Sequence, residues 1–220
     1  MTGSHRIVDH TTFAELQWSR DPFALKFFIL PPGFQEHSKI LGESFLEIIR
    51  DIFALQCIRD SALFGHENAI SMARIDNHQA SIQSRLVSLP NHSSISECCH
   101  LAAYLCSTML RCKIWRTSTL PSHLSLQLLY KLQDTNSDTL WDTSPDLLAW
   151  LLHIGGAFAP VGSIRTGYMA LVHLNHKRLR KLYTSWSGLL EIFKRFIWSE
   201  KAFASQIESF WEESSVTRPQ

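Results

Sequence analysis

No charge of one sign dominates this chain. Its 21 lysines and arginines stand against 20 aspartates and glutamates, with a formal net charge of +1 and a pI near 7.8. No global field therefore draws it to a nucleic acid backbone or an anionic membrane. Long apolar runs are missing as well: the nearest, Leu147 to Val161, is interrupted by His153, Gly155-Gly156 and Pro160. That falls short of the roughly 18 uninterrupted apolar residues a membrane span needs, so no spanning helix is expected. The N-terminus lacks the basic segment, apolar run and small-residue cleavage site of a secretory signal, so the expectation is a chain retained inside the cell. The sequon Asn91-His92-Ser93 carries no weight in that setting.

Cysteine is scarce. Cys57, Cys98, Cys99, Cys106 and Cys112 are odd in number, and none forms a Cys-x2-Cys pair; they read as reduced thiols. Adjacent helical residues diverge by about 100°, and Cys99 to Cys106 spans about 10 Å along a helix axis, too far for two thiolates on one ion. Glycine-rich phosphate loops are absent too. Gly155-Gly156 with Gly162 follows a helix, not a strand, and Ser163 has no Gly-x-Ser-x-Gly context, so neither a dinucleotide fingerprint nor a nucleophile elbow is present. No catalytic residue, cofactor or metal is expected. No stretch alternates apolar and polar residues with Val, Ile and Thr enrichment, and there is no Asn-Gly or Asp-Gly hairpin signal, which removes the case for a sheet.

What remains is helical periodicity in a chain of 220 residues that is 45% hydrophobic, enough for one domain with a substantial core. After the break at Leu30-Pro31-Pro32-Gly33, the residues Leu41, Phe45, Ile48, Ile49, Ile52 and Phe53 predict a helix running to about Arg59. Ile75, Ile82, Leu86 and Leu89 predict a second, stopping at Pro90. Ser94-Ile95-Ser96-Glu97 reads as a capping box opening a helix to about Cys112. Pro121 opens the next, with Leu124, Leu128, Leu129 and Leu132 as its inward stripe. Ser144-Pro145-Asp146 supplies cap, first-position proline and early acid, and Gly155-Gly156 is read as the stop. Leu189, Leu190, Phe193, Phe196 and Ile197 mark a further helix, and Phe203, Ile207, Phe210 and Trp211 the last. The fold class expected is all-α, a multi-helix domain of roughly seven to ten helices. An N-terminal extension is placed at 1–35, the helical domain at 36–215 and a tail at 216–220.

The ordered segments Ile82 to Pro90, Glu97 to Tyr104, Pro145 to Gly156, Trp186 with Phe196-Ile197-Trp198, and Phe210-Trp211-Glu212-Glu213 resemble the C-terminal regulatory region of fungal-specific transcription factors of the zinc-cluster type. The resemblance runs from about Leu41 to Glu213. It implies an all-α regulatory domain acting in the nucleus through a protein partner, self-association or a small apolar effector. A binuclear zinc cluster needs six closely spaced cysteines, and here no cysteine precedes Cys57. Direct sequence-specific DNA binding is therefore not expected of this chain, whether it is a fragment or a free-standing domain.

Two groups of residues stand out as candidate sites. Phe203, Phe210 and Trp211, on the terminal helix, are the candidate interaction surface. Lys177, Arg178, Arg180 and Lys181 form the one dense basic run. They read either as an import or phosphate-contacting patch or as a solvated helix face with Leu174, Leu179 and Leu182 turned inward. His173 and His176 are three apart but have no acidic or cysteine partner nearby, so they read as surface histidines. Trp150, Trp186, Trp198 and Trp211 read as core, or as the wall of an aromatic cavity. The competing reading is a small helical enzyme or ligand-binding protein without a recognisable catalytic motif.

Overall fold

The computed structural model describes residues 28–61, 69–90, 93–111 and 119–216. Asn91, Cys112, most of the N-terminal extension and most of the C-terminal tail lie outside them. Among the described residues there are twelve helices and no strand, so the protein is all-α: α1 (Pro32–Glu36), α2 (Ser38–Leu41), α3 (Glu43–Asp60), α4 (Ala69–Ser88), α5 (Ser94–Arg111), α6 (Thr119–Asp134), α7 (Leu140–Thr143), α8 (Pro145–Phe158), α9 (Ser163–Leu174), α10 (His176–Leu179), α11 (Trp186–Phe193) and α12 (Glu200–Val216). No helix among these residues is long and apolar enough to cross a membrane.

The apolar stripe of α3 buries Phe45, Ile48, Ile49 and Ile52. Glu43 in its first turn and Arg59 in its last complement the helix dipole. α3 and α4 are joined by an ion pair between Arg85 and Asp51. The core reaches back to Phe34, fully buried and edge-on to Trp150 at 5.2 Å and Phe196 at 5.1 Å. The first turn of α5 is capped one residue earlier than the capping box predicts. The Ser93 hydroxyl accepts from the Ser96 amide at 3.1 Å, and Glu97 instead reaches Lys131 on α6 at 2.8 Å. An acid can serve a box only at the third helical position, and capping by Ser93 puts Ser96 there.

α8 lies at the centre, packed against α5, α6, α9 and α12 among others. Every residue from Asp146 to Phe158 is buried. The expected stop at Gly155-Gly156 is corrected: the helix runs through both glycines to Phe158 and ends at Ala159-Pro160, where proline cannot continue the ladder. The glycines are packing positions. A Cβ on Gly155 would lie 2.3 Å from the Tyr168 hydroxyl of α9, and one on Gly156 would lie 2.3 Å from the Phe210 ring of α12. Both helices thus approach the α8 backbone at distances only glycine permits.

The last carbonyls of α8, orphaned like those of any helix, are taken up by side chains. The Ser125 hydroxyl donates to Gly155 O at 2.8 Å while the Tyr168 hydroxyl donates to Ser125 O at 2.7 Å. Arg165 donates to Gly156 O at 3.2 Å and Ala157 O at 3.3 Å, pairs with both carboxylate oxygens of Glu213 at 2.7 and 2.8 Å, and lies over the Phe210 ring. That hydrogen bond and charge hold the Glu213 carboxyl below its usual range. Arg165→Leu is expected to lower stability by about 2–3 kcal/mol, since it removes the donor to the Ala157 carbonyl and the part-buried pair with Glu213, while Gly156 O keeps the Ala159 amide. Arg165→Lys recovers little of this, because an ammonium lacks the planar fork. Urea denaturation of the two variants measures it.

Candidate functional site

A cleft of about 330 Å3 opens where α9 and α10 face the end of α12. Its floor is Val172 and Leu179, and its aromatic wall is Tyr183 and Trp211, whose rings meet at 5.6 Å and 62°. His173, His176 and Arg180 complete the lining with Thr184 and Ser214. The chain bends here because Asn175 interrupts the helix. Its side-chain amide donates to Leu171 O at 3.0 Å and to Asn136 Oδ1 at 2.7 Å, and its backbone carbonyl starts α10 by accepting from the Arg178 and Leu179 amides.

That break resets the helical phase and corrects one expectation about the basic run. Only Leu179 of the three leucines turns inward; Leu174 is 67% exposed and Leu182 37% exposed. The four basic residues do converge, around an open hollow of about 710 Å3 shared with Asp142 and Leu174. Their roles differ. Arg178 is a clasp, donating to Asp142 at 2.6 Å, to Asn175 Oδ1 at 2.8 Å and to Asn136 O at 3.2 Å, which ties α10 to α7 and the turn before it. Lys177, Arg180 and Lys181 are exposed and have no carboxylate partner among the described residues. Arg180 lines both hollows.

Of the candidate interaction surface, Phe203 and Phe210 are fully buried, Phe203 against Phe158 at 5.3 Å and Phe210 against His153 and Arg165. Both face the core, because α12 lays its apolar stripe on α8. Trp211 alone reaches the surface, half-buried, as a wall of the cleft. Of the other tryptophans, Trp150 and Trp198 are buried and Trp186 is half-buried, 6.5 Å from both Trp198 and Trp211.

Directly behind the aromatic wall stands His153 of α8. It is fully buried, with Tyr183, Phe193 and Phe210 edge-on and Trp211 tilted against its ring. Nδ1 lies 2.8 Å from Ala149 O, so it carries the proton and Nε2 is left as an acceptor. That Nε2 has no hydrogen-bond partner. Burial depresses its pKa to about 4, so the ring is neutral at pH 7. A polar side chain inside Leu151-Leu152-His153-Ile154 was visible in the sequence; its neighbours were not.

A second polar group was invisible there, because His37 lies more than a hundred residues from Ser144 and Asp146. His37 Nε2 is 3.1 Å from Asp146 Oδ1, and its Nδ1 is 3.4 Å from the Ser144 hydroxyl. Arg195 reaches the other Asp146 oxygen at 3.2 Å. Burial would push the Asp146 carboxyl up, but the His37 hydrogen bond and charge, the Leu147 amide and Arg195 together bring it below its usual range. Ser144 is 3% exposed, and neither hollow opens onto it. The knot fastens the α1–α2 joint to the start of α8.

Among the described residues no three His, Cys, Asp or Glu side chains stand together as a metal site. Burial pushes the Cys98 thiol up to about 12 and raises Cys99 and Cys106 as well, so these are weak nucleophiles and poor ligands.

No family model, curated protein or solved structure matches the chain. Its own geometry therefore carries the functional argument.

Proposed function

We propose that this chain is a regulatory, non-DNA-binding helical domain of a fungal transcriptional regulator, acting in the nucleus through an effector or a partner received at the cleft between α9–α10 and α12. The observation that carries this reading is the make-up of the cleft: two aromatic side chains, an aliphatic floor and one arginine at its edge, which is recognition chemistry without a group activated for bond making. The order of motifs along the chain supports the regulatory part. An occupant that favours one packing of α10 and α12 over another changes the exposed surface by as much as its differential affinity allows.

The test is a transcription reporter in a fungal host, with the chain fused to an unrelated DNA-binding domain. The fusion is expected to change reporter output relative to the DNA-binding domain alone, and Trp211→Ala is expected to alter that change while circular dichroism stays native. Output equal to that of the DNA-binding domain alone counts against the reading.

One observation favours the second reading, a small helical enzyme: the Ser144–His37–Asp146 contacts place a hydroxyl, an imidazole and a carboxylate in sequence. The burial of Ser144 and the structural use of Asp146 weigh against it. A fluorophosphonate probe is expected to leave Ser144 unlabelled; labelling lost in Ser144→Ala would favour the enzyme.

A further inference from the structure

We propose that the basic hollow beside α10 is a docking surface for an acidic peptide segment of a partner protein, with aspartate or glutamate carboxylates set on Lys177, Arg180 and Lys181 and one apolar side chain set on Leu174. The hollow meets the cleft described above only at Arg180, and the inference does not rest on the regulatory reading.

Charge is the first observation. Elsewhere among the described residues Arg50, Arg85, Lys131, Arg165, Lys194 and Arg195 each hold a carboxylate. Lys177, Arg180 and Lys181 are exposed, hold none among the described residues, and line one hollow of about 710 Å3. The single acid of that hollow, Asp142, is already taken by Arg178 at 2.6 Å. Three positive charges are therefore left over at one place, in a chain whose overall charge is only +1. Like charges held together repel, and carboxylates brought among them relieve the repulsion.

The base beneath these charges is fixed. Leu179 is 2% exposed, and Arg178 donates to Asp142, Asn175 Oδ1 and Asn136 O. The cations thus stand on backbone pinned by their own neighbours, which lowers the ordering cost of binding. Leu174, 67% exposed, lines the same hollow and gives a partner's apolar side chain a surface to cover. This combination selects a peptide over a nucleic acid. Proteins that hold a duplex by its backbone contact about 6–10 phosphates, against three free cations here. No aromatic side chain lines the hollow to stack a base.

Fluorescence anisotropy of the full chain with a labelled peptide, Gly-Asp-Asp-Leu-Asp-Asp-Gly, tests this against three further probes: the peptide with asparagine for aspartate, the peptide with serine for leucine, and an oligothymidylate of equal charge. Exposed ion pairs are individually weak, so the expected Kd is on the order of 10–100 μM at low salt, rising several-fold as salt is raised from about 50 to about 300 mM. The asparagine peptide is expected to bind roughly tenfold or more weaker, and the serine peptide roughly threefold weaker. Lys177→Glu with Lys181→Glu is expected to lose roughly tenfold or more toward the acidic peptide. Lys39→Glu with Lys201→Glu makes the same change in net charge at other exposed positions and leaves binding as it was. Leu174→Ser abolishes the preference for leucine over serine. The probe comparisons need no variant, and circular dichroism checks that the variants keep the fold. No binding of the acidic peptide at low salt, or equal binding of the aspartate and asparagine peptides, overturns the proposal. So do equal losses in the two charge-reversed variants, a leucine preference that survives Leu174→Ser, or tighter binding of the oligothymidylate.

Discussion

Replacing both glycines of α8 by alanine, Gly155→Ala with Gly156→Ala, is expected to lower stability by about 4 kcal/mol. In an exposed helix each change would gain about 1 kcal/mol, because alanine is the better helix former. Here the sign reverses. The new methyls fall 2.3 Å from Tyr168 and 2.3 Å from Phe210, and both rings are fully buried. Tyr168 is further held by its bond to Ser125 O at 2.7 Å, and Phe210 by the Arg165 guanidinium above it. Neither ring can step aside without moving its helix, and forced overpacking costs about 1–3 kcal/mol per site, the upper end applying where both obstructing rings are fixed. Equilibrium urea denaturation reads the result. A double variant as stable as the parent would mean that α9 and α12 do not close on α8 in this way.

The second large effect is a loss of stability in mild acid that traces to one side chain. The folded pKa of His153 is about 4, against about 6.5 in an unfolded chain. As pH falls below about 6.5 the unfolded chain takes up a proton that the folded protein refuses. Stability from this group is thus complete above about pH 6.5 and declines as pH drops toward 4, by about 3 kcal/mol in all. The ring neighbours of His153 are Tyr183, Phe193, Phe210 and Trp211, none of which offers a negative charge to an imidazolium. His153→Phe keeps a flat ring and removes the titration. Its melting temperature is expected to change much less than the parent's between pH 7 and 4.5, whatever its absolute value. Parallel profiles would show that the proton enters elsewhere.

The helices were legible because their residues are local: stripes such as Phe45, Ile48, Ile49 and Ile52 need only a period, and Ser144-Pro145-Asp146 announces its helix within three residues. The ends were read less well, for two physical reasons. Gly155-Gly156 carries the composition of a stop, yet the glycines serve two helices that return later in the chain, and no local rule contains Tyr168 or Phe210. Around Asn175 the helix breaks and restarts, so the leucine spacing across it lost its meaning and two of three leucines came out exposed. Phe203 and Phe210 of the candidate surface went the same way, since an apolar stripe on a terminal helix says that it is covered, not by what, and α8 covers it, while Trp211 stays at the surface. The basic run was visible, but Arg178 parts from its neighbours only through Asp142 and Asn136, more than thirty residues earlier. His37 and Asp146, 109 residues apart, left no signal at all.

Hydrogen exchange of the full chain tests most directly that the protein is built around α8 as its buried centre. The expected result is α8 amides that exchange far more slowly than those of the exposed helix ends. α8 amides that exchange as fast as the exposed helix ends would contradict it.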